Sequence, residues 1–349
     1  MKHSTSNSKP KAASAASHQR LQREILVWYA HHARTFFWRE QDAQLIDPYV
    51  VLISEVMLQQ TQTSRVQEKL PLFLTEFPNI AALAAADNAT IIKAWAGMGY
   101  NSRALRLRDC ARAIQERHGG IIPSLNDELL ELPGIGAYTA SAVLAFAFHH
   151  DVTVLDVNIR RVYSRLLATM PTTRDLADES SIQAFAEKIY PRGESSRWHQ
   201  AVMDIGALFC TARAPKCMSC PLHEICPSAG TMQEVRKVKP PEPSWEGTPN
   251  RIWRGRIVQI LRGLEGDATI SPDEILQQLF AGEVGALFEN NNAEMTQDAW
   301  FLMVLRGLER DGILEIIAPR RVGSHSSGDT SEVLPHDALF SCSLRLSKG

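Results

Sequence analysis

The sequence predicts an all-α fold for most of the chain, with a small α+β module of winged-helix-like type at its C-terminal end. Three observations carry this expectation. Apolar residues recur at helical spacing from residue 21 to about 230, in stretches punctuated by Pro and Gly. No alternating strand pattern interrupts them. Residues 231–248, TMQEVRKVKPPEPSWEGT, then hold three prolines and mixed charge with little to bury, which reads as a linker.

Taken in order, residues 1–20 are Ser/Ala/Lys-rich and lack an apolar core, so they read as a disordered tail and not as a secretory signal. LQREILVWYAHHA is the first helix. SEVMLQQTQTSRVQEKLPLFLTEF, residues 54–77, reads as the second, and Pro71 is expected to end or kink it. RALRLRDCARAIQERHGG follows. In SLNDELLELPGIGAYTASAVLAFAF, Ser124 and Asp127 resemble a capping pair, and Pro133 stops a helix. Gly134 and Gly136 then permit a tight turn. The free amides of the next helix can hold a phosphate there; an ordinary αα-hairpin turn is the plainer reading. TVLDVNIRRV, residues 153–162, is an apolar run broken by Asp156, whose ordinary role would be a helix N-cap. After the linker come RIWRGRIVQILRGL, SPDEILQQLF and TQDAWFLMVLRGLERDGIL, a short apolar stretch, EIIAP, and a polar loop, RRVGSHSSGDTSE. Three helices, a strand and a loop give 249–349 its winged-helix-like reading.

The chain has 349 residues, a formal net charge of −2 and 22% charged residues. That balance excludes a strongly basic nucleic-acid-coating protein but leaves room for a local basic face. The series Arg103, Arg106, Arg108, Arg112 and Arg117 is the candidate, with a solvated helix face as its plainer reading. No run of 18 apolar residues suggests a membrane span. Of six cysteines, four lie in CTARAPKCMSCPLHEIC, spaced C-x6-C-x2-C-x5-C: Cys210, Cys217, Cys220 and Cys226. Such clustering reads as a metal site in a reducing cytoplasm. Zinc sites usually show two close pairs, and here there is one, so the wide gaps favour a [4Fe–4S] cluster over zinc.

These motifs together carry a family resemblance. LPGIGAYTASAV, LDVNIRRV, MDIGALFC and the four-cysteine loop resemble the helix-hairpin-helix base-excision DNA glycosylases of the endonuclease III superfamily. SEVMLQQTQ, WAGMGYNSRALRL and HGGIIPS are similar to its adenine-excising, MutY-type branch. The resemblance implies a helical barrel over about 46–150 and a subdomain joining 21–45 to 151–230 that holds one [4Fe–4S] cluster. Double-stranded DNA would cross the groove between them, with the target nucleotide flipped out of the stack.

The resemblance also assigns roles. Glu55 would be the general acid, its pKa raised by Ile53, Val56, Met57 and Leu58; an exposed helix glutamate is its plainer reading. Asp156 would stabilise the sugar cation, compatibly with an N-cap role, and Asn158 would help hold the site. Tyr138 stands where lyase members place a lysine, which implies a glycosylase without strand cleavage. Gln59 and Gln60 would reach into the duplex, while Gly134, Gly136 and Arg103 would meet DNA. Trp38 and Arg39 would line the base pocket. Three departures stand out: Val157 replaces a usual Gly, Phe37 a usual Pro, and no Nudix-like domain is read in 249–349. The implied function is removal of adenine opposite 8-oxoguanine or guanine by a monomeric enzyme of the cytoplasm, nucleoid-associated if bacterial. A thymine or uracil mismatch glycosylase is the nearest rival, and a non-catalytic iron–sulfur DNA-binding protein the alternative of another class.

Overall fold

The computed structural model describes residues 15–39, 47–235, 242–281, 295–317 and 341–349. The helices are α1 (Ala15–His32), α2 (Pro48–Leu58), α3 (Thr63–Glu76), α4 (Ile80–Ala85), α5 (Asn88–Ala94), α6 (Ser102–His118), α7 (Asn126–Leu130), α8 (Ala137–Phe146), α9 (Val157–Leu167), α10 (Glu179–Ile189) and α11 (Ser195–Leu208). A 3₁₀ turn at Cys217–Ser219 follows. The last part holds β1 (Ser244–Trp245), β2 (Thr248–Pro249), α12 (Asn250–Arg262), α13 (Pro272–Phe280), α14 (Gln297–Arg310), β3 (Leu314–Ile317) and β4 (Ser343–Leu346). The fold is therefore all-α with a small α+β end, as the periodicities predict. No described helix is long and apolar enough to cross a membrane.

The described residues form two compact units. The first comprises those within 1–55, 122–131 and 135–238. Its core joins α1, α9, α10 and α11 through Leu21, Ile25, Ile159, Tyr163, Ile189, Trp198 and Ile205. Full burial of such side chains stabilises by roughly 1.5–3 kcal/mol each. Trp198 and Tyr163 are both buried, and the indole N–H donates to the phenol oxygen at 2.7 Å.

The second unit comprises the described residues of 56–121, 132–134 and 239–349. Here α4 and α5 pack on α6, while α12 packs on α13, α14 and β4. β3 and β4 pair antiparallel, Leu314 opposite Leu346. Inside the C-terminal part, Trp245 stacks on Trp300 with centroids 5.1 Å apart, and Trp253 meets Trp300 edge-on at 5.4 Å. Buried Asn88 at the start of α5 donates to Gly312 O at 3.0 Å and Ser347 Oγ at 3.1 Å, and accepts from Arg108. These bonds draw the C-terminal residues into one unit with 56–121, whereas the sequence reading set 249–349 apart.

Several local expectations are corrected. α1 starts at Ala15, inside the stretch read as tail, and residues 1–14 lie outside the described set. Residues 54–77 form two helices, not one, with the break at 59–62, where Gln60 takes φ +56°. Pro71 does not end its helix: α3 runs on to Glu76. The cap of α7 is Leu125, with no side-chain bond, so Ser124 does not serve. The linker is partly tied down: Gln233 pairs with Thr172, and Trp245 with Thr248 in β1–β2. The segment 236–241 and the polar loop of the winged-helix reading lie outside the described residues.

Candidate active site

Glu55 sits in the apolar helix PYVVLISEVML, between Ser54 and Val56, and is 6% exposed. Burial raises its carboxyl pKa from 4.5 to about 7, partly offset by a hydrogen bond from Tyr138 and by the charge of Arg39. Asp156 adds a small upward push. The Tyr138 hydroxyl donates to Glu55 Oε2 at 2.7 Å. Burial and the neighbouring carboxylate push the phenol well above its ordinary range, so it stays protonated as the donor. Tyr138 is the second residue of α8, one turn from the Gly-x-Gly hairpin.

Asp156 caps α9. One carboxylate oxygen accepts from Ile159 N–H at 2.6 Å, the other from the Asn158 amide at 2.7 Å. The cap bond orients the acid at the helix N-terminus, where a negative charge is favoured. Val157, next to it, is 74% exposed. Asn158 in turn accepts from Arg161 at 2.8 Å, and Arg161 also donates to Gly206 O and Cys210 O. A Cβ at Gly206 would lie 2.8 Å from Asn158 Cβ, so glycine is what lets α11 approach here.

Trp38 is buried and stacks on Phe36 with centroids 4.8 Å apart. Arg39 is held otherwise than by a base: it pairs with Asp204 at 3.0 Å and lies over the Phe36 ring at 4.9 Å. Arg34 pairs with the same fully buried Asp204 at 2.7 Å and covers the same ring at 5.1 Å. Sequence reasoning missed Arg34 and Asp204, which together fix the chain before α2. The signal available was a lone acid in the apolar stretch MDIGALF.

The hairpin runs from α7 to α8. Gly134 has φ +79°, and a Cβ there would lie 3.1 Å from Arg106 Cβ. Gly136 is the exposed N-cap of α8 and offers no side-chain cap, leaving the first amides of α8 unclaimed by a capping side chain. Gln60 is exposed and Gln59 half-buried. Arg103 does not meet the expectation of a DNA contact. It is buried, and its guanidinium donates to the carbonyls of Val56, Met57, Gln59, Met98 and Gly99 and to Thr61 Oγ1, at 2.5–3.2 Å. A phosphate contact needs an exposed guanidinium; this one ends α2 and holds the turn after it. Arg108 and Arg112 are likewise spent, on Asn88 and Asp109 and on Ala84 O and Ala86 O.

Cys210, Cys220 and Cys226 pack against the core of the first unit. Burial pushes Cys220 up to about 12 and Cys226 to about 11, and each feels the charge of Cys210 and Cys217. All four cysteines are half-buried along one short loop. Arg165, 1% exposed, donates to Cys210 Sγ at 3.2 Å. Half-buried cysteines, one of them bonded to a buried cation, fit a group that is held by four cysteines and carries net negative charge. No three Cys, His, Asp or Glu side chains among the described residues are grouped as a single ion would need. Beside the loop lies a 610 Å³ cavity whose lining includes Arg213, Lys216 and Met218, all exposed.

A capped acid and a buried acid with a pKa near 7, on a helical fold with a glycine hairpin, fit the base-excision repair proteins of the helix-hairpin-helix class. The HhH-GPD superfamily base excision DNA repair profile matches residues 53–192, and that of the iron–sulfur binding domain of endonuclease III matches 210–226. The adenine DNA glycosylase of Mycolicibacterium smegmatis is 38% identical over 246 residues, spanning 68% of this chain and 79% of that protein. The human adenine DNA glycosylase is 33% identical over 58% of this chain, which spans 38% of the human protein. A thermostable thymine-DNA glycosylase superposes with TM-score 0.55 at 27% identity, over 61% of this chain and 97% of that one. Endonuclease III from a non-covalent DNA complex shares the fold, with TM-score 0.52 at 21% identity over 62% of this chain and 97% of that one. The chain belongs to the adenine DNA glycosylase family, and its four-cysteine loop is the iron–sulfur binding segment of that fold.

Proposed function

We propose that the protein excises adenine mispaired with 8-oxoguanine or guanine in double-stranded DNA, by hydrolysis of the N-glycosidic bond and without strand cleavage. The observation that carries this reading is the unequal pair of carboxylates: Glu55, buried with a pKa of about 7, and Asp156, capped and half-buried. Glu55 donates its proton to a ring nitrogen of the flipped base. The C1′–N bond breaks with its electrons passing to the base, and Asp156 stabilises the oxocarbenium ion left on the sugar. Water adds at C1′, yielding free adenine, an abasic site and a proton. Tyr138 orients Glu55, and Asn158 orients Asp156. A phenol forms no Schiff base, so no lyase step follows.

The hairpin glycines and the open end of α8 suit a DNA phosphate, and the exposed Gln60 with Gln59 suits entry into the duplex. Trp38 suits the base pocket, while Arg39 acts there through its charge on Glu55. Cys210, Cys217, Cys220 and Cys226 would hold the [4Fe–4S] cluster, which when bound ties this loop into one rigid piece. The protein acts as a monomer.

The likeness to a thymine-DNA glycosylase, together with Val157 beside Asp156, favours thymine or uracil excision as the second reading. Duplexes carrying adenine, thymine or uracil opposite guanine or 8-oxoguanine, incubated with the protein and then treated with alkali, decide between them. Cleavage at adenine is expected, cleavage only at thymine or uracil would establish the second reading, and no cleavage would leave a DNA-binding protein without activity. A borohydride-trapped adduct on abasic DNA would overturn the monofunctional assignment.

A further inference from the structure

The C-terminal module has no place in the chemistry above, and its described residues are not basic enough to suggest a DNA clamp. Arg254 pairs with Asp311, Arg306 with Glu309, Arg345 with Glu315, and Arg251 with Glu242. Arg262 is different. Standing in the last turn of α12, it bonds to a carbonyl and an amide and not to an acid. Its Nε donates to Ile92 O at 3.0 Å, and its Nη2 donates to Asn101 Oδ1 at 2.9 Å. Ile92 lies in the final turn of α5, where the Ile91 and Lys93 carbonyls accept backbone N–H groups and Arg262 takes that of Ile92. Asn101 is the N-cap of α6, yet its side chain caps nothing; its oxygen is turned to Arg262 instead. Lys93 Nζ adds a bond to Leu264 O at 3.1 Å.

The chain between these two anchors is the loop 95–101. It is stiffened by Trp95 Nε1 donating to Gly99 O and holds positive φ at Gly97, Gly99 and Tyr100. The carbonyls of Met98 and Gly99 in that loop receive Arg103. The same guanidinium reaches Gln59 O and Thr61 Oγ1. We propose that Arg262 is a positioning residue for mismatch recognition: through Asn101 and the 95–101 loop it sets Arg103, and through Arg103 the turn that presents Gln60. This rests on the reading of Gln59–Gln60 as the turn that enters the duplex. The C-terminal module then acts as a brace for a DNA-reading turn and need not touch DNA itself.

The test compares full-length R262M, N101A, Q60A and the two double variants with Q60A. N101A removes one bond and leaves Arg262 its bond to Ile92, so it guards against a variant that fails to fold. The readouts are the ratio of Kd values for a mismatched and a matched duplex, and the pH profile of single-turnover excision. R262M and N101A are expected to lower the mismatch preference about tenfold, to leave the falling pH limb in place, and to add nothing to the loss in Q60A. Retained preference in both R262M and N101A overturns the proposal, as does a loss that multiplies with that of Q60A. Full mismatch preference in Q60A overturns the reading of the turn itself, and the proposal with it.

Discussion

In the proposed mechanism Glu55 holds a proton at neutral pH and gives it up in the transition state. A carboxyl poised near pH 7 does both, so single-turnover excision is expected to fall about tenfold per pH unit above that value. Y138F removes a bond that holds the Glu55 pKa down, so the falling limb should move to higher pH, by about one unit; a limb that stays in place would refute the coupling. The same shift bears on stability. Because the folded pKa lies above the ordinary 4.5, Glu55 contributes stability that is complete below about pH 4.5 and lost as pH rises through about 7. E55Q should therefore be more stable than wild type at pH 8, by about 3 kcal/mol, with the gain fading towards pH 5; urea titrations at both values check this. D156N keeps an N-cap side chain, so the helix and DNA binding should persist while excision drops by roughly 10²–10³. Full activity in D156N would remove Asp156 from the mechanism. Asp156 was legible as a lone acid in an apolar run, whereas Glu55 was legible only through the family resemblance of SEVMLQQTQ, since by itself it reads as an ordinary helix glutamate. The Arg34–Asp204–Arg39 cluster was not, since its members lie about 170 positions apart and pair only once the chain has folded.

At the scale of elements, the hairpin and α2 repay comparison. Periodicity and glycine spacing located α8 and its turn, because both signals are local. G134A should cost about 1–2 kcal/mol of stability and weaken DNA binding, since φ is +79° and the added methyl would crowd Arg106 Cβ at 3.1 Å. A G136A variant, with nothing within 4 Å of the added methyl, should fold normally. The break in 54–77 escaped the sequence reading because the pattern places a helix end at Pro71, where a proline lies. The end is set instead at Leu58 by a guanidinium from α6, a contact more than forty residues distant. The same long-range effect misplaced Arg103: five arginines in one segment look like a basic face, yet three of them are consumed by carbonyls, an amide and a neighbouring acid.

For the whole molecule, the cysteine loop and the C-terminal module are the large-scale supports. Three of the four cysteines pack on the core of the first unit, so the loop and that core should fail together. C220S should abolish the broad visible absorbance expected of a [4Fe–4S] protein and lower the melting temperature of the first unit. A colourless wild-type protein with bound zinc would correct the cofactor. The winged-helix-like module was legible as three helices and a strand, but its attachment was not, because Asn88 and Arg262 are ordinary residues until their partners are known. The tryptophan triad described in that module has an optical consequence. Two indoles stacked 17° from parallel and a third at 74° to one of them should couple as chromophores and give the far-ultraviolet circular dichroism an exciton couplet of its own. That band reports the module separately from the helical signal of the rest of the chain, and so can show whether R262M loosens the brace or melts it.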